Sequence, residues 1–452
     1  MTPLGVSDIL TRLEPGFGHG EAPVISRIEV LGYRALRYVS QRIGAFQILV
    51  GPNASGKSSF LDAVGFLGDM LRSGPTKAIL GDRRAGILQR APDPTHLFWM
   101  RKGPTFQIAV ELSIPPERRS LLKNGGYSTA RYEVAIGFRA EREQVGIVAE
   151  TLWLLPEEHA VHEAPQRTLF PAPPPPPESL VAPTGRRTPQ GWKKIVNKVE
   201  ESGNDYFFSE TSGWNNPFRL GPTKSALANL PEDEARFPVA TWVKRMLLEG
   251  VQRLALNSDA MRRPSPPGET SGFLPDGSNL PWVVHTLESK NHRQRLDAWI
   301  DHLRIALPDL GGISTKERPE DRHRYLMLRY VNGLEAPSWL VSDGTLRLLA
   351  LTLLAYAPEV SGIYLIEEPE NGIHPRAVEV MFQSLTSVYG AQILCATHSP
   401  VVLSMAKPEQ VLCFARDETG ATDIVRGTDH PRLREWKGEV DLGTLFAGGV
   451  MG

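Results

Sequence analysis

One short segment decides most of what this chain can fold into. Gly51-Pro52-Asn53-Ala54-Ser55-Gly56-Lys57-Ser58-Ser59 fits the pattern G-x-x-x-x-G-K-[ST]. It follows the apolar run Phe46 to Val50, which reads as a buried strand. From Ser58 to Leu67 the apolar positions Leu61, Val64 and Leu67 recur at helical spacing. Strand, glycine-rich loop and helix together form a phosphate cradle: loop N–H groups turn inward and the helix N-terminus adds positive potential. Lys57 can reach the β- and γ-phosphates of a nucleoside triphosphate, and the Ser58 hydroxyl can hold Mg²⁺.

Length and charge set outer bounds. The 452 residues allow two or three compact units, and 50 basic against 51 acidic side chains leave a formal net charge of −1. Nothing global points to nucleic acid, so any DNA contact is local. Cys395 and Cys413 both sit in apolar runs and read as buried thiols of a reducing compartment. With neither a leader pattern at Met1 to Glu21 nor an apolar run of about 20 residues, the expected location is cytoplasmic, away from membranes.

Ile25 to Val39 reads as a strand and turn leading towards the phosphate loop. Phe106 to Ile114, Tyr132 to Phe138 and Gly146 to Leu155 alternate with period two and predict an antiparallel sheet. Pro171 to Pro177 centre a proline-rich linker over about 165–191. Helical spacing over Phe237 to Leu256 and Asn291 to Leu307 predicts a mainly helical middle lobe, and no heptad run supports a coiled-coil arm. Core-like patterning returns with strands at Tyr325 to Val331, Gly362 to Ile366 and Gln392 to Ala396 and a helix at Thr345 to Leu354. The expected division is 1–155, 156–321 and 322–452.

Three further segments carry chemistry. Gly362 to Ile366 ends in Glu367 and Glu368, placing two carboxylates at the C-terminal edge of a buried strand, where open α/β sheets bind ligands. Glu367 suits Mg²⁺, and Glu368 is placed to orient or deprotonate water. His398, in Thr397-His398-Ser399-Pro400, follows another apolar run and can hydrogen-bond a γ-phosphate or water. Ser342-Asp343-Gly344-Thr345 precedes an apolar helix and offers a second anion site through Ser342 and Gly344, beside its ordinary role as a helix cap.

In this order the segments resemble the ABC-type ATPase heads of the group that includes RecF, the SMC proteins and the OLD (overcoming lysogenisation defect) ATPases, often described as AAA-type. Gly51 to Ser59 is similar to the Walker A loop, Leu340 to Arg347 to the signature segment, and Glu367-Glu368 to Walker B with the catalytic glutamate second. Pro369 to Pro375 is similar to the D-loop and His398 to the switch histidine. Glu367 stands where many relatives have aspartate, and Asp343 replaces the second signature glycine. Gln89 and Gln107 are poor matches for a glutamine loop, and none is assigned.

The resemblance implies an α/β P-loop fold with an ABC-ATPase-like head, ATP and Mg²⁺ as cofactors, and Lys57, Glu368 and His398 as catalytic residues. It also implies that Ser342 and Gly344 of one copy complete the nucleotide site of another, giving a homodimer or higher oligomer. A nuclease domain of the kind that follows the OLD head is not evident after His398, so an effector would be a separate nuclease or toxin subunit. A RecF-like DNA-binding repair protein and an ATP-holding scaffold for a toxic effector are the alternatives.

Other signals are weaker. Arg83, Arg84, Arg90, Arg101 and Lys102, and likewise Arg186, Arg187, Lys193, Lys194 and Lys198, are two basic stretches that could meet DNA phosphates. Glu157, Glu158, His159, His162 and Glu163 read as a solvated loop. Leu433 to Gly452, with Trp436, Leu442, Leu445 and Phe446, reads as a docking tail or as a segment packed on its own core.

Overall fold

The computed structural model describes residues 25–123, 126–139, 144–157, 175–182, 188–200, 203–268, 272–358, 360–430 and 441–449. Strands β1 (Ile25–Tyr33) and β2 (Leu36–Arg42) form a hairpin, and β3 (Phe46–Val50) leads into the phosphate loop and helix α1 (Lys57–Ser73). β4 (Thr105–Ser113), β5 (Tyr127–Arg139) and β6 (Gln144–Pro156) are the three strands anticipated from their alternation. They do not end the sheet. β7 (Lys193–Val199), β8 (Tyr206–Phe208) and β9 (Asn215–Pro217) extend it to eight antiparallel strands in the order β2-β1-β4-β5-β6-β7-β8-β9. The expected boundary at 155–156 therefore falls inside one hydrogen-bonded sheet, because β7 pairs with β6 from Ala149↔Val199 to Leu154↔Lys193.

Helical spacing from Phe237 onward ends earlier than expected. Helix α2 (Pro238–Arg245) passes through a wide turn at Met246–Gly250 into β10 (Val251–Leu254), followed by α3 (Ser258–Arg262), α4 (Leu280–Glu288) and α5 (Arg293–Ala306). β11 (Leu310–Glu317), β12 (Arg324–Tyr330) and β13 (Glu335–Pro337) make a small antiparallel sheet against α4 and α5. After it come α6 (Asp343–Leu353), β14 (Gly362–Glu367), α7 (Pro375–Thr386), β15 (Ala391–Ala396), β16 (Val411–Arg416), β17 (Thr422–Arg426) and α8 (Leu442–Ala447).

The second large sheet has the order β10-β14-β15-β3-β16-β17, parallel except for the β16–β17 pair. Apolar runs without alternation are what a sheet covered on both faces requires. Along β14, Ile363 and Leu365 point into the core shared with α1 and the antiparallel sheet, whereas Tyr364 and Ile366 point into the core built by α4, α5, α6 and α7. Leu394 and Ala396 of β15 divide from Ile393 and Cys395 in the same way. Both cysteines are free and buried, and burial pushes the Cys413 thiol up to about 12.

Buried ions lock α1 and the antiparallel sheet in place. Asp62 of α1 accepts hydrogen bonds from Tyr33 Oη at 2.7 Å and Arg90 Nε at 2.8 Å. Glu150, fully buried, accepts from Tyr132, Ser225 and the N–H groups of Ala226 and Leu227. A buried carboxylate supplied with that many donors is held rather than stranded. Among the described residues no helix is long and apolar enough to cross a membrane.

Candidate functional site

Register in the parallel sheet brings the sequence motifs together. Glu367 lies beside Ala396, and Ala396 beside Leu49, two residues ahead of Gly51. The phosphate loop, the two glutamates and His398 thus leave the C-terminal edges of three adjacent strands, the location where open α/β sheets bind ligands. They border a cleft of about 300 Å³ lined by Asn53, Ala54, Ser55, Gly56, Lys57, Ser58, Ser59, Glu367, Glu368 and His398, with Ala35 and Arg416 beside the loop. The Gly51 and Pro52 carbonyls accept hydrogen bonds from Lys57 Nζ at 2.7 and 2.9 Å.

The loop's form depends on Gly56. Its φ of +106° lies in the region that disfavours side chains, and an added Cβ would stand 2.1 Å from Thr422 Oγ1. That hydroxyl donates to the Ser55 carbonyl at 2.9 Å, so β17 braces the loop from behind. Lys57 is 6 % exposed. Burial lowers its pKa to about 8, against the opposing pull of Glu368 and Glu367. The buried Ser55 Oγ has no hydrogen-bond partner among the described residues. A glycine-bounded cradle, an orphaned hydroxyl and an ammonium that among the described residues donates only to two carbonyls fit a polyphosphate.

At the acid edge, Ser58 Oγ donates to Glu367 Oε2 at 2.7 Å. Hydroxyl and carboxylate oxygens together are the donor set that Mg²⁺ takes, so the residues fit that ion as well. The other oxygen, Oε1, is occupied by Arg253 Nη2 at 2.6 Å. Glu368 has φ +47°, a left-handed conformation rare outside glycine. Its N–H donates to the Ala396 carbonyl at 2.7 Å, and its carboxylate accepts from Asn371 Nδ2. His398 makes no side-chain hydrogen bond among the described residues; burial first, then the Lys57 charge, lowers its pKa, so the neutral ring prevails at pH 7. Glu370 accepts from Thr397 Oγ1 at 2.5 Å and ties the segment after β14 to the one after β15.

Ser342 and Gly344 stand apart from this cleft. Ser342 is exposed and caps α6, its Oγ accepting from the Thr345 N–H at 3.3 Å. Gly344 packs so closely on the strand-to-helix loop that a Cβ would lie 2.3 Å from the Gly372 carbonyl oxygen. Arg262 holds the segment from below, donating to the Val341 carbonyl at 3.1 Å and pairing with Asp343. Trp339 and Leu340, 47 % and 72 % exposed, immediately precede it.

Arg253, Arg262, Glu370, Asn371 and Arg416 were not singled out from sequence. Glu370 and Asn371 lie inside the segment likened to a D-loop. Arg253 falls where helical spacing pointed to a helix, and its pairing with Glu367 arises only once β10 joins the sheet beside β14.

Several weaker expectations change. Arg90, its side chain 9 % exposed, pairs with Asp62 and with Asp69 at 2.7 Å. Lys198 is 2 % exposed, donating to the Gly221 and Lys224 carbonyls. Lys194 stacks over Trp153, and burial lowers its pKa to about 8. Neither basic stretch is therefore a continuous cationic face, although Arg83, Arg84, Arg101 and Lys102 are exposed. Arg186, Arg187, Glu158, His159, His162, Glu163 and Trp436 lie outside the described residues, among which no cluster of metal-binding side chains occurs. Leu442 is buried, with Leu445 and Phe446 packed against the same core, so this part of the tail is occupied by its own protein.

Comparison with known proteins adds the following. Solved structures similar to this chain include an SMC head bound to the C-winged helix domain of ScpA, at 11 % identity, covering 89 % of this chain and 98 % of that one, with a TM-score of 0.48. An SMC head from Pyrococcus furiosus bound to the C-terminal domain of ScpA gives 12 %, 89 %, 96 % and 0.49, and the SMC head of Thermotoga maritima gives 11 %, 89 %, 98 % and 0.38. No curated protein matches the chain. A family profile matches residues 46–404, from the strand before the phosphate loop to the helix after His398. The chain belongs to that family, described as "AAA domain, putative AbiEii toxin, Type IV TA system".

Proposed function

We propose that this AAA-domain ATPase is an ATP-hydrolysing switch whose nucleotide-dependent self-association gates a partner effector, a nuclease or toxin, in prokaryotic phage defence or genome maintenance. The observation that carries the reading is the separation of two half-sites. Lys57, Ser58, Glu367, Glu368 and His398 border one cleft, while Ser342 and Gly344 stand outside it beside exposed Trp339 and Leu340. A second copy bringing its Ser342 hydroxyl and helix N-terminus to the first copy's γ-phosphate would bury those apolar side chains too. Contacts made to ATP and not to ADP are the differential interaction that a switch needs.

In this reading Lys57 leaves the Gly51 and Pro52 carbonyls for the β- and γ-phosphates, and the Ser55 to Ser59 N–H groups close around the chain of phosphates. Ser58 and Glu367 would hold Mg²⁺, which would offset phosphate charge. Glu368, freed from Asn371, accepts the proton of the attacking water, and neutral His398 hydrogen-bonds at the γ-phosphate side. The family description, which names a putative toxin of a type IV toxin–antitoxin system, supports a setting in which a toxic activity is controlled. The ion pairs of Arg90, the stacking of Lys194 on Trp153 and the burial of Lys198 weigh against the RecF-like alternative of direct DNA binding.

Light scattering with and without ATP tests the proposal. Glu368→Gln should accumulate a species of at least twice the monomer mass in ATP, and Lys57→Ala should not. Identical masses for both variants in both conditions refute the clamp. The protein recovered with Glu368→Gln in ATP identifies the effector class.

A further inference from the structure

We infer that Arg253 is a built-in counter-ion that a divalent cation must displace from Glu367, so that it sets how much Mg²⁺ the nucleotide site needs. The inference rests on the nucleotide-site reading above. β10 and β14 are parallel with Arg253 opposite Leu365, so the side chains of Arg253, Leu365 and Glu367 share one face of the sheet. Leu365 packs in the core that includes α1, so this face is the one that carries Ser58. Both Glu367 oxygens are used: Oε2 by Ser58 at 2.7 Å and Oε1 by Arg253 at 2.6 Å.

The guanidinium is therefore a stand-in for the cation. It keeps Glu367 from repelling an incoming polyphosphate when metal is scarce, and it opposes the metal once phosphate has arrived. Displacing it is cheap. Arg253 is 51 % exposed on an edge strand, and ion pairs with water at one side contribute little to folding. A unit charge about 6 Å from a divalent cation in a water-like medium lowers the cation's affinity about tenfold, and about threefold once physiological salt screens it.

Two opposed shifts should appear in Arg253→Gln full-length protein. Calorimetric titration with ADP in EDTA should show affinity falling about threefold or more, because Glu367 now faces phosphate uncompensated. Mn²⁺ titrated into ADP-bound protein and followed by its electron paramagnetic resonance signal should bind about threefold to tenfold more tightly. Arg253→Lys should restore both towards the parent. A purely structural role would weaken both affinities together or leave both unchanged, and either result overturns the inference. Should the parent protein bind ADP in neither condition, the nucleotide-site reading itself fails, which is a separate outcome.

Discussion

Nucleotide binding should draw a proton onto Lys57. The ammonium is 6 % exposed, and burial lowers its pKa to about 8 before any phosphate is present. Between pH 7 and 9 the neutral fraction then rises from about 0.1 through 0.5 to 0.9. Contact with β- and γ-phosphates favours the charged form, so the bound state stays protonated across that window. Uptake on binding should be about 0.1 proton at pH 7, 0.5 at pH 8 and 0.9 at pH 9, and affinity should weaken about tenfold from pH 7 to 9, near 1.4 kcal/mol. Calorimetric titration of ATP into Glu368→Gln, repeated in buffers of different ionisation heat, reads the proton count directly. Lys57→Arg, charged throughout, should lose the uptake. An uptake at pH 8 below about 0.1 proton in the Lys57 form, or the same uptake in Lys57→Arg, would refute the argument from burial.

Two further outcomes concern folding. Gly56→Ala meets both a left-handed backbone and the Thr422 hydroxyl 2.1 Å from the new Cβ, and should cost about 2 kcal/mol or more. Thr422→Ala added to it should recover only part of that loss in denaturant unfolding, because the backbone term remains. Glu210 accepts from the Val239 and Ala240 N–H groups at 2.7 Å each, yet burial raises its pKa to about 7. The folded chain holds a proton there that the unfolded chain releases near pH 4.5, so this contribution is complete below pH 4.5 and is lost as pH rises towards 7. Thermal unfolding of Glu210→Gln should fall less between pH 5 and 8 than that of the parent, by an amount of order 3 kcal/mol. Parallel profiles would contradict it.

The site was legible in proportion to how local its signals are. Phe46 to Val50, Gly362 to Ile366 and Gln392 to Ala396 are apolar runs closed by polar residues, and such runs have one comfortable place, the middle of a covered sheet. Glycine, lysine and paired glutamates at their ends then fall together by register alone. β10 was not legible, because Val239, Val243 and Leu247 continue a helical stripe into it. What turns the chain there is the free edge of β14, whose backbone groups Val251 to Leu254 satisfy. β7 was hidden differently: Ile195 and Val196 are fully buried, but Lys193, Lys194 and Lys198 around them suggested a solvent face. Their amines turn to carbonyls and to Trp153, a choice fixed by residues distant in sequence. Arg253 belongs to the same class, since Glu367 reaches it only through the sheet.

The position of β3 bears on how the protein is made. It lies between β15 and β16, and its hydrogen bonds run to residues Ile393 through Ala396 on one side and Val411 through Cys413 on the other. Both neighbours leave the ribosome long after the phosphate loop has been synthesised. During translation β3 has no flanking strands, Gly56 has no Thr422 behind it, and Ser58 has no Glu367. A nascent or prematurely stopped chain is therefore unable to form the cleft, however much of the antiparallel sheet has already folded. That order of assembly leaves every unfinished copy without the cleft.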